Sequence, residues 1–214
     1  MNNSSVTHSC RLFAAGLSLL AVCACGTLRP AATPNAAFYS LEGTRGAAPV
    51  AAPAAAPTLI INPPHAAAGF DSPRIIYVRE THKLEYFAHS EWIDPPTRML
   101  APLLVAAVEN TGVFRAVVLT PSSAAGDLRL DTEIIRLQHE FGTQPSRVRF
   151  TLRAYLVDDK TRRVLAWREF DAAVPAASED PYGGVVAANR AVQTVLENLA
   201  AFCAEAARSA RMAK

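Results

Sequence analysis

Carboxylates, histidines and cysteines are the side chains of this sequence that could do chemistry, and the first two occur in no catalytic arrangement. His89-Ser90-Glu91 comes nearest to a catalytic trio. Neighbouring residues of an extended segment point to alternating sides, so these three cannot by themselves place a nucleophile, a base and an orienting acid together. Adjacent carboxylates at 158–159 and 179–180 lie in turn contexts, where solvation explains them. The sequence also lacks a Gly-x-Ser-x-Gly elbow and a Gly-x-x-x-x-Gly-Lys phosphate loop, so we predict a protein that is not an enzyme.

The histidines are dispersed, and the sequence contains no His-x-x-x-His or Cys-x-x-Cys spacing of the kind that binds metals. We therefore expect no metal site and no cofactor. The five histidines are His8, His65, His82, His89 and His139.

An apolar run near the N-terminus, residues 12–26, has the pattern of a secretory leader. It follows a short polar segment that contains Arg11 and no acidic residue. A positive segment, an apolar run and a small residue before the cut are the parts of such a leader. The run is shorter than the roughly 20 apolar residues that cross a bilayer as a helix. We predict a signal peptide over residues 1–24.

Cys25 is the residue of this leader whose surroundings predict a reaction. The sequence Val-Cys-Ala-Cys at 22–25 resembles a bacterial lipobox, in which small residues precede a cysteine whose thiol takes a diacylglyceryl group. Cys23 is the rival acceptor, but lipidation there would put branched Val22 immediately before the cut. We therefore predict cleavage after Ala24 and an anchor of palmitate-type acyl chains on Cys25. Gly26 is not the aspartate that commonly favours the inner membrane, so the periplasmic face of the outer membrane is the favoured location.

Composition indicates an ordinary folded domain rather than a disordered or nucleic-acid-binding one. Half of the residues are hydrophobic, 19% are charged and the formal net charge is +2. So small a charge gives no electrostatic argument for a nucleic-acid partner. Cleavage and acylation would leave Cys203 as the free thiol of the mature chain, so we expect no internal disulfide. Cys203 lies on the apolar side of a helical pattern, where a small buried side chain is its expected role.

The sequence pattern divides the exported chain into a flexible tether over 25–36 and one domain over 37–210. An Ala/Pro-rich loop over 44–57 interrupts the start of the domain. Runs of β-branched, aromatic or alternating residues predict strands. These lie at 38–43, 58–62, 74–78, 84–87 and 113–119, followed by a meander of three longer strands at 128–134, 147–156 and 163–173.

Two amphipathic helices complete the predicted domain. Asp94 is the expected N-cap of the first, with Pro95 at its first position, and Pro102 is expected to kink or delay it. Asn110-Thr111-Gly112 should end it. The second helix should start at Asp180-Pro181 and bury a stripe that includes Leu199 and Phe202. The expected fold class is α+β, a two-layer sandwich of a mostly antiparallel sheet with two main helices.

Several short segments of the sequence follow one another in an order that is typical of a known protein family. Phe-Tyr-Ser-Leu at 38–41 follows the lipobox, and Gly-Phe-Asp-Ser-Pro-Arg-Ile-Ile-Tyr-Val at 69–78 precedes Leu-Glu-Tyr-Phe at 84–87 and Trp92. More loosely, Leu-Val-Asp at 156–158, Trp167 and the terminal helix continue the pattern. The chain thereby resembles the ABC-type transport auxiliary lipoproteins, the paraquat-inducible protein C-like family. The Ala/Pro-rich insertion is a departure from that family.

The resemblance implies a TolB-N-terminal-like fold and a non-catalytic role. Family members work beside a mammalian-cell-entry (MCE) domain protein and an ABC permease and ATPase, which together move lipids across the Gram-negative envelope. The chain would tether and position this assembly, and could itself form a homo-oligomer. The family has no catalytic residues to transfer to this sequence.

Residues 80–92 form the most family-specific segment and are the expected partner surface. Tyr86, His89 and Trp92 are its candidate contacts, because aromatic residues often anchor interfaces. Tyr86 and Phe87 must point to opposite faces of a strand, so only one of them should enter the core. Trp92 has a second explanation, which is that it packs at the start of the first helix. An arginine row at Arg147, Arg149 and Arg153 is either a solvated face or a contact for acidic groups.

Two other functions are compatible with parts of the pattern. An outer-membrane assembly lipoprotein, similar to the plug of the lipopolysaccharide translocon, would need a broad exposed apolar flank, whereas the apolar positions here fit a core. An envelope hydrolase would need a convergent pocket of titratable groups, which the sequence does not indicate.

Overall fold

The computed structural model describes residues 35–43 and 52–212. The predicted signal peptide, the lipidation site Cys25, residues 25–34 of the tether and residues 44–51 of the Ala/Pro-rich loop lie outside the described residues.

Nine strands and two helices make up the described chain. In order they are β1 (Ala37–Tyr39), β2 (Thr58–Ile61), β3 (His65–Ala66), β4 (Arg74–Val78), β5 (Glu85–Trp92), α1 (Pro96–Glu109), β6 (Ala116–Leu119), β7 (Leu128–Glu140), β8 (Arg147–Asp158), β9 (Val164–Pro175) and α2 (Pro181–Met212). The predicted α+β class is confirmed, and β3 is a short strand that the sequence did not indicate.

Strand β7 organises the sheet because it is long enough to pair with several neighbours. Along one edge it pairs in parallel with β2, then β3, then β4, one after another. Along its other edge it pairs antiparallel with β8, and β8 pairs antiparallel with β9. β6 lies outside β2, while β5 and then β1 lie outside β4. The predicted antiparallel meander is therefore confirmed, and the parallel pairings on β7 are additional to it.

The turn between β8 and β9 is held by Asp158, as the sequence predicts. Its Oδ1 atom accepts hydrogen bonds from the backbone N–H groups of Lys160 (3.1 Å) and Thr161 (2.8 Å). Arg162 completes the turn with a φ of 61°. Aspartate is favoured in such turns because its side chain bonds to the backbone just after it.

Helix α1 begins one residue later than predicted. Pro95 occupies the N-cap with an extended backbone (φ −52°, ψ 140°), and Pro96 is the first helical residue. The reason is that a residue before proline is sterically kept out of the α region, so the first of two consecutive prolines cannot be helical. Asp94 is not the cap; its carboxylate instead lies 3.1 Å from the guanidinium of Arg98.

The rest of α1 is amphipathic, as predicted. The helix is a single element through Pro102, which lies on its exposed side, while Leu100, Leu104 and Val108 are buried. It ends where expected, with Asn110 at the C-cap and Gly112 at a φ of 62°.

Helix α2 is capped by Asp180, whose Oδ1 atom accepts a hydrogen bond of 2.7 Å from the Gly183 N–H group. Both helices pack on one face of the sheet, and α2 lies over β8 and β9. Leu199 and Cys203 are fully buried there, and the Phe202 ring contacts Phe170 edge to face at 5.7 Å. The predicted core role of Leu199, Phe202 and Cys203 is confirmed, and burial raises the pKa of the Cys203 thiol to about 12.

Candidate functional site

The hairpin of β4 and β5 contains the family-specific segment. Its turn is closed by the Lys83 N–H group, which donates to the Glu80 carbonyl oxygen at 3.2 Å. The charged turn residues pair with one another, with Arg79 at 3.5 Å from Glu85 and Lys83 at 3.7 Å from Glu80. The two strands pair antiparallel, and β5 is longer than predicted because it runs on to Trp92.

Tyr86 and Phe87 lie on opposite faces of β5, as the pleat requires. The Tyr86 side chain is 52% exposed, and the guanidinium carbon of Arg74 lies 4.1 Å from its ring centre. A cation over one face of an aromatic ring holds the ring in place and leaves its opposite face accessible. Tyr86 is therefore an ordered, accessible aromatic residue, which is the property that an interface anchor requires.

Phe87 enters an aromatic cluster on the other face. Its ring lies 4.6 Å from that of Tyr77 and 6.5 Å from that of Phe141. These distances are typical of stabilising aromatic pairs. The cluster fixes β5 against β4 and β7, so Tyr86 is presented by a packed strand rather than by a loop.

The structure exposes the side chain of His89 and buries that of Trp92. His89 is exposed and remains a candidate contact. Trp92 is only 3% exposed and belongs to the hydrophobic core, so its candidacy as a partner contact is wrong. The second explanation for this residue, packing beneath the start of the first helix, fits its burial. The bulge in the β4–β5 pairing changes which residues of β5 face inward, and that change is not visible in the sequence.

Two further apolar residues extend this surface, and neither was predicted from the sequence to be a contact. Phe38 is 59% exposed and Ile93 is 61% exposed. The register places Phe38 of β1 and Arg74 of β4 on either side of Glu91 of β5. We call Phe38, Arg74, Tyr86, His89 and Ile93 the hairpin surface.

The predicted arginine row lies on the sheet face opposite the helices, and carboxylates pair with all three of its members. Arg147 lies 2.9 Å from Glu140, and Arg149 bridges Glu140 at 3.2 Å and Asp171 at 2.8 Å. Arg153 lies 3.0 Å from Glu169 and 3.5 Å from Glu133. The row is thus largely neutralised within the sheet, which supports the solvated-face explanation over a free cationic contact.

The pKa of Glu140 reflects the arginines and the glutamine that surround its carboxylate. Burial by itself would raise the pKa of Glu140, but hydrogen bonds from Arg147 and Gln138 and the charge of Arg149 together hold that pKa below its ordinary value. Glu140 therefore stays ionised near neutral pH and keeps both arginines in place.

A serine and a histidine meet inside the domain, a contact that the sequence pattern does not indicate. His139 Nε2 lies 2.8 Å from Ser146 Oγ, and the Glu179 carboxylate accepts a hydrogen bond of 2.9 Å from the Ser146 N–H group. Ser146 is fully buried and His139 is 2% exposed. The neighbouring cavity is only about 10 Å³, too small for more than about one water molecule. No substrate can reach this pair as it stands, so we assign it a structural role.

A groove of about 470 Å³ lies between the two helices. Small and aliphatic residues form its walls, among them Leu103, Leu196 and Ala200. On its rim, Gln193 donates a 3.0 Å hydrogen bond to Glu197. The volume is within the range of small-molecule sites.

The described ranges contain no group of three or more His, Cys, Asp or Glu side chains placed to hold a metal ion. Over the same ranges, no helix combines the length and apolar character that crossing a membrane requires.

Comparison with known proteins identifies relatives of the whole domain. A family model described as ABC-type transport auxiliary lipoprotein component matches residues 39–200. The solved structure of protein XCC0632 from Xanthomonas campestris, of the DUF330 family, is 25% identical and superposes with a TM-score of 0.72, covering 83% of this chain and 99% of that one. An uncharacterized protein of known structure has a TM-score of 0.62 at 12% identity, covering 79% of this chain and 99% of its own. No curated protein matches the sequence.

Proposed function

Because the chain belongs to the family of ABC-type transport auxiliary lipoprotein components, we propose that it is the membrane-anchored, non-catalytic auxiliary subunit of an MCE-type ABC transport system. The system would move lipids across the Gram-negative envelope. The observation that carries this proposal is the family match over residues 39–200, which spans the described domain from the end of β1 into α2.

The proposed mechanism is tethering and positioning. An acylated Cys25 would hold the chain on the periplasmic face of the outer membrane. Residues 25–36, if extended, would let the domain stand on the order of 30 Å from the lipid surface. A packed domain on a long tether can dock to a partner while its anchor remains in the bilayer.

We propose the hairpin surface as the docking site for the MCE-domain protein. Tyr86 supplies an ordered exposed ring, His89 a neighbouring polar group, and Phe38 and Ile93 additional apolar area. Interfaces of this kind depend on a few aromatic anchors surrounded by polar residues. Glu91 and Arg74 provide such polar neighbours.

Affinity purification from the native host tests the proposal. A tag placed after Lys214 leaves the leader intact, so the full chain can be exported, acylated and extracted in mild detergent. We expect an MCE-domain protein and its permease and ATPase to co-purify in fixed ratio, and a tag on the MCE protein to retrieve this chain. The same experiment with Cys25→Ala separates anchoring from docking.

Two results would contradict the proposal. One is a purified chain without MCE, permease or ATPase subunits in both directions of tagging. The other is stoichiometric recovery of an outer-membrane barrel instead, which would favour the lipopolysaccharide-translocon plug alternative.

A further inference from the structure

Strand β9 presents a long free edge. It pairs with β8 from Val164 to Pro175, and along its other side no strand is present among the described residues. An edge strand exposes a row of unpaired N–H and C=O groups that can template another strand. Natural edges are usually blunted by proline, lysine or a short length. β9 has 12 residues, no lysine, and its proline only at the last position, while its acidic residues Glu169 and Asp171 pair with Arg153 and Arg149 of β8.

The start of β9 also carries an exposed apolar patch. Trp167 is 62% exposed, Val164 55% and Leu165 42%. The Trp167 ring lies nearly parallel to that of Tyr155 on β8, with ring centres 6.3 Å apart and an angle of 27°. This stacking orders the tryptophan while its outer side remains open. Clustered exposed apolar side chains on a soluble domain mark interaction sites.

A groove of about 370 Å³ lies on the helix side of the same edge, between β9 and the C-terminal half of α2. Ala166, Phe202 and Ala206 line it, and the Arg168 guanidinium carbon lies 5.1 Å from the Phe202 ring centre. Glu205 also lines the groove, but Arg168 forms no ion pair with a carboxylate of the described residues. The groove therefore offers apolar contacts and an unpaired cation beside free backbone groups.

We propose that β9 receives an extended segment of a different protein as an additional strand of the sheet. The backbone of that segment bonds to the free edge of β9. Its side chains on one face pack on Trp167, and those on the other face enter the groove, where a carboxylate meets Arg168. The occupant is thus a β-strand of alternating apolar and polar residues with an acidic residue on its groove-facing side. This is the strand-addition mode of peptide recognition.

Charge argues against a second copy of this chain as the occupant. Two β9 strands that pair antiparallel edge to edge keep the helix side of each sheet on the same side. The groove-facing residues of a second β9 include Ala166, Arg168 and Phe170, none of which is acidic. Arg168 would therefore meet no carboxylate from the other strand.

Fluorescence anisotropy with a defined peptide tests the inference on the full chain purified in detergent. The probe is a labelled seven-residue peptide. It has valine at the four odd positions, glutamate at the central position 4, and threonine at positions 2 and 6. Its matched control has the same side chains, but every second backbone nitrogen is methylated. Those nitrogens can no longer donate hydrogen bonds to the edge of β9. We expect saturable binding of the first peptide and about tenfold or weaker binding of the second.

Variants locate the site. Trp167→Lys should weaken binding by about tenfold or more. Tyr182→Lys changes a side chain of similar exposure at the opposite end of α2 from the groove and should leave binding unchanged. Arg168→Glu should reverse the preference between the glutamate peptide and a peptide with lysine at that position. Circular dichroism and thermal melting verify that each variant is folded.

Three results of the peptide-binding experiments would overturn the inference. They are equal binding of the N-methylated peptide, Trp167→Lys binding with unchanged affinity, and no saturable binding up to about 1 mM. A concentration-dependent dimer that Trp167→Lys abolishes would assign the edge to a second copy and would overturn it as well.

Discussion

The Nε2 atom of His139 lies 2.8 Å from the Oγ atom of Ser146, and both side chains are buried where α2 begins. The Nδ1 atom of the same ring has no hydrogen-bond partner among the residues that the structure describes. Burial lowers the pKa of His139, and the carboxylates of Glu179 and Asp180 oppose that change without reversing it. The folded domain therefore holds a neutral imidazole at physiological pH.

This burial predicts a loss of stability in mild acid. The unfolded chain binds a proton at His139 near the ordinary value of 6.5, whereas the folded chain resists protonation until a lower pH. The free energy of unfolding should thus decrease as pH falls below about 6.5, by at most about 1.4 kcal/mol per pH unit for this group. Urea denaturation at pH 7.5 and 5.5 measures the effect.

Substitution distinguishes His139 from the other histidines. His139→Gln should reduce the difference in stability between the two pH values, while His89→Gln, at an exposed position, should preserve it. An unchanged difference in the folded His139→Gln protein would show that other groups cause the pH dependence.

Gly184 faces the same imidazole, and we predict that Gly184→Ala destabilises the domain. A Cβ atom at this position would lie 2.5 Å from His139 Nδ1. The imidazole is held by its contact with Ser146 and by the tilted Phe141 ring, whose centre lies 4.1 Å away. Alanine would otherwise favour the helix by about 1 kcal/mol, but crowding in a packed core costs ~1–3 kcal/mol. Gly142→Ala is the matched control, because no described residue beyond its chain neighbours lies within 4 Å of the added Cβ atom, and it should be close to neutral in denaturant titrations. Equal stability of the two variants would contradict the prediction.

Phe202 should contribute more to stability than any exposed residue of α2. It is 5% exposed and packs against Phe170 and Arg168. We expect Phe202→Ala to lower the free energy of unfolding by ~3–5 kcal/mol. Met212→Ala, on the same helix at 83% exposure, should change it by less than about 0.5 kcal/mol. Chemical denaturation monitored by circular dichroism measures both changes in the free energy of unfolding. A melting temperature of Phe202→Ala within error of the parent protein would show that this apolar stripe of α2 does not support the core.

Tyr86→Ala and His89→Ala should reduce co-purification of the MCE-domain protein without unfolding the chain. Loss of an aromatic anchor at an interface typically costs about 2 kcal/mol or more, enough for a clear loss of recovered partner. Tyr182→Ala and His65→Ala replace the same residue types at other exposed positions and serve as controls. If both folded variants retain the partner fully, docking uses another surface, and the arginine row is the next to test.

Cys25→Ala should release the protein from the membrane fraction or leave it as an uncleaved precursor. Intact-mass spectrometry of the parent protein should find a diacylated or triacylated N-terminus at Cys25. Cys23→Ala keeps the preferred acceptor and should remain membrane-bound. A mature N-terminus elsewhere, carrying no lipid, would refute the proposed anchor.

Local sequence patterns were sufficient for most elements of the fold. The β-branched run at 74–78 predicts β4 with the bounds that the structure has, and Asp180 caps α2 as expected. Such features depend on neighbours in the chain, which a sequence displays directly. α1 starts one residue later than its cap preference predicts, because the steric effect of Pro96 on the residue before it outweighs that preference.

Long-range pairing was not predictable in the same way. Alternating residues indicate that β7 is a strand, but they do not specify that β2, β3 and β4 pair with it in succession. The bulge that turns Trp92 inward also depends on the register with β4. Pairing between distant segments is set by the packing of the whole core, for which a single sequence carries no direct record.

The sequence by itself determined the elements that depend on contiguous residues: the meander, the two amphipathic helices and the family pattern. It also predicts the lipobox, which a peptidase would read as a short linear segment. Tertiary structure alone decided which side chains form surfaces. Register brings Phe38 and Arg74 to either side of Glu91, and packing places Arg168 of β9 over Phe202 of α2. Surfaces join residues that are far apart in the chain, so their composition follows from the folded sheet and its register.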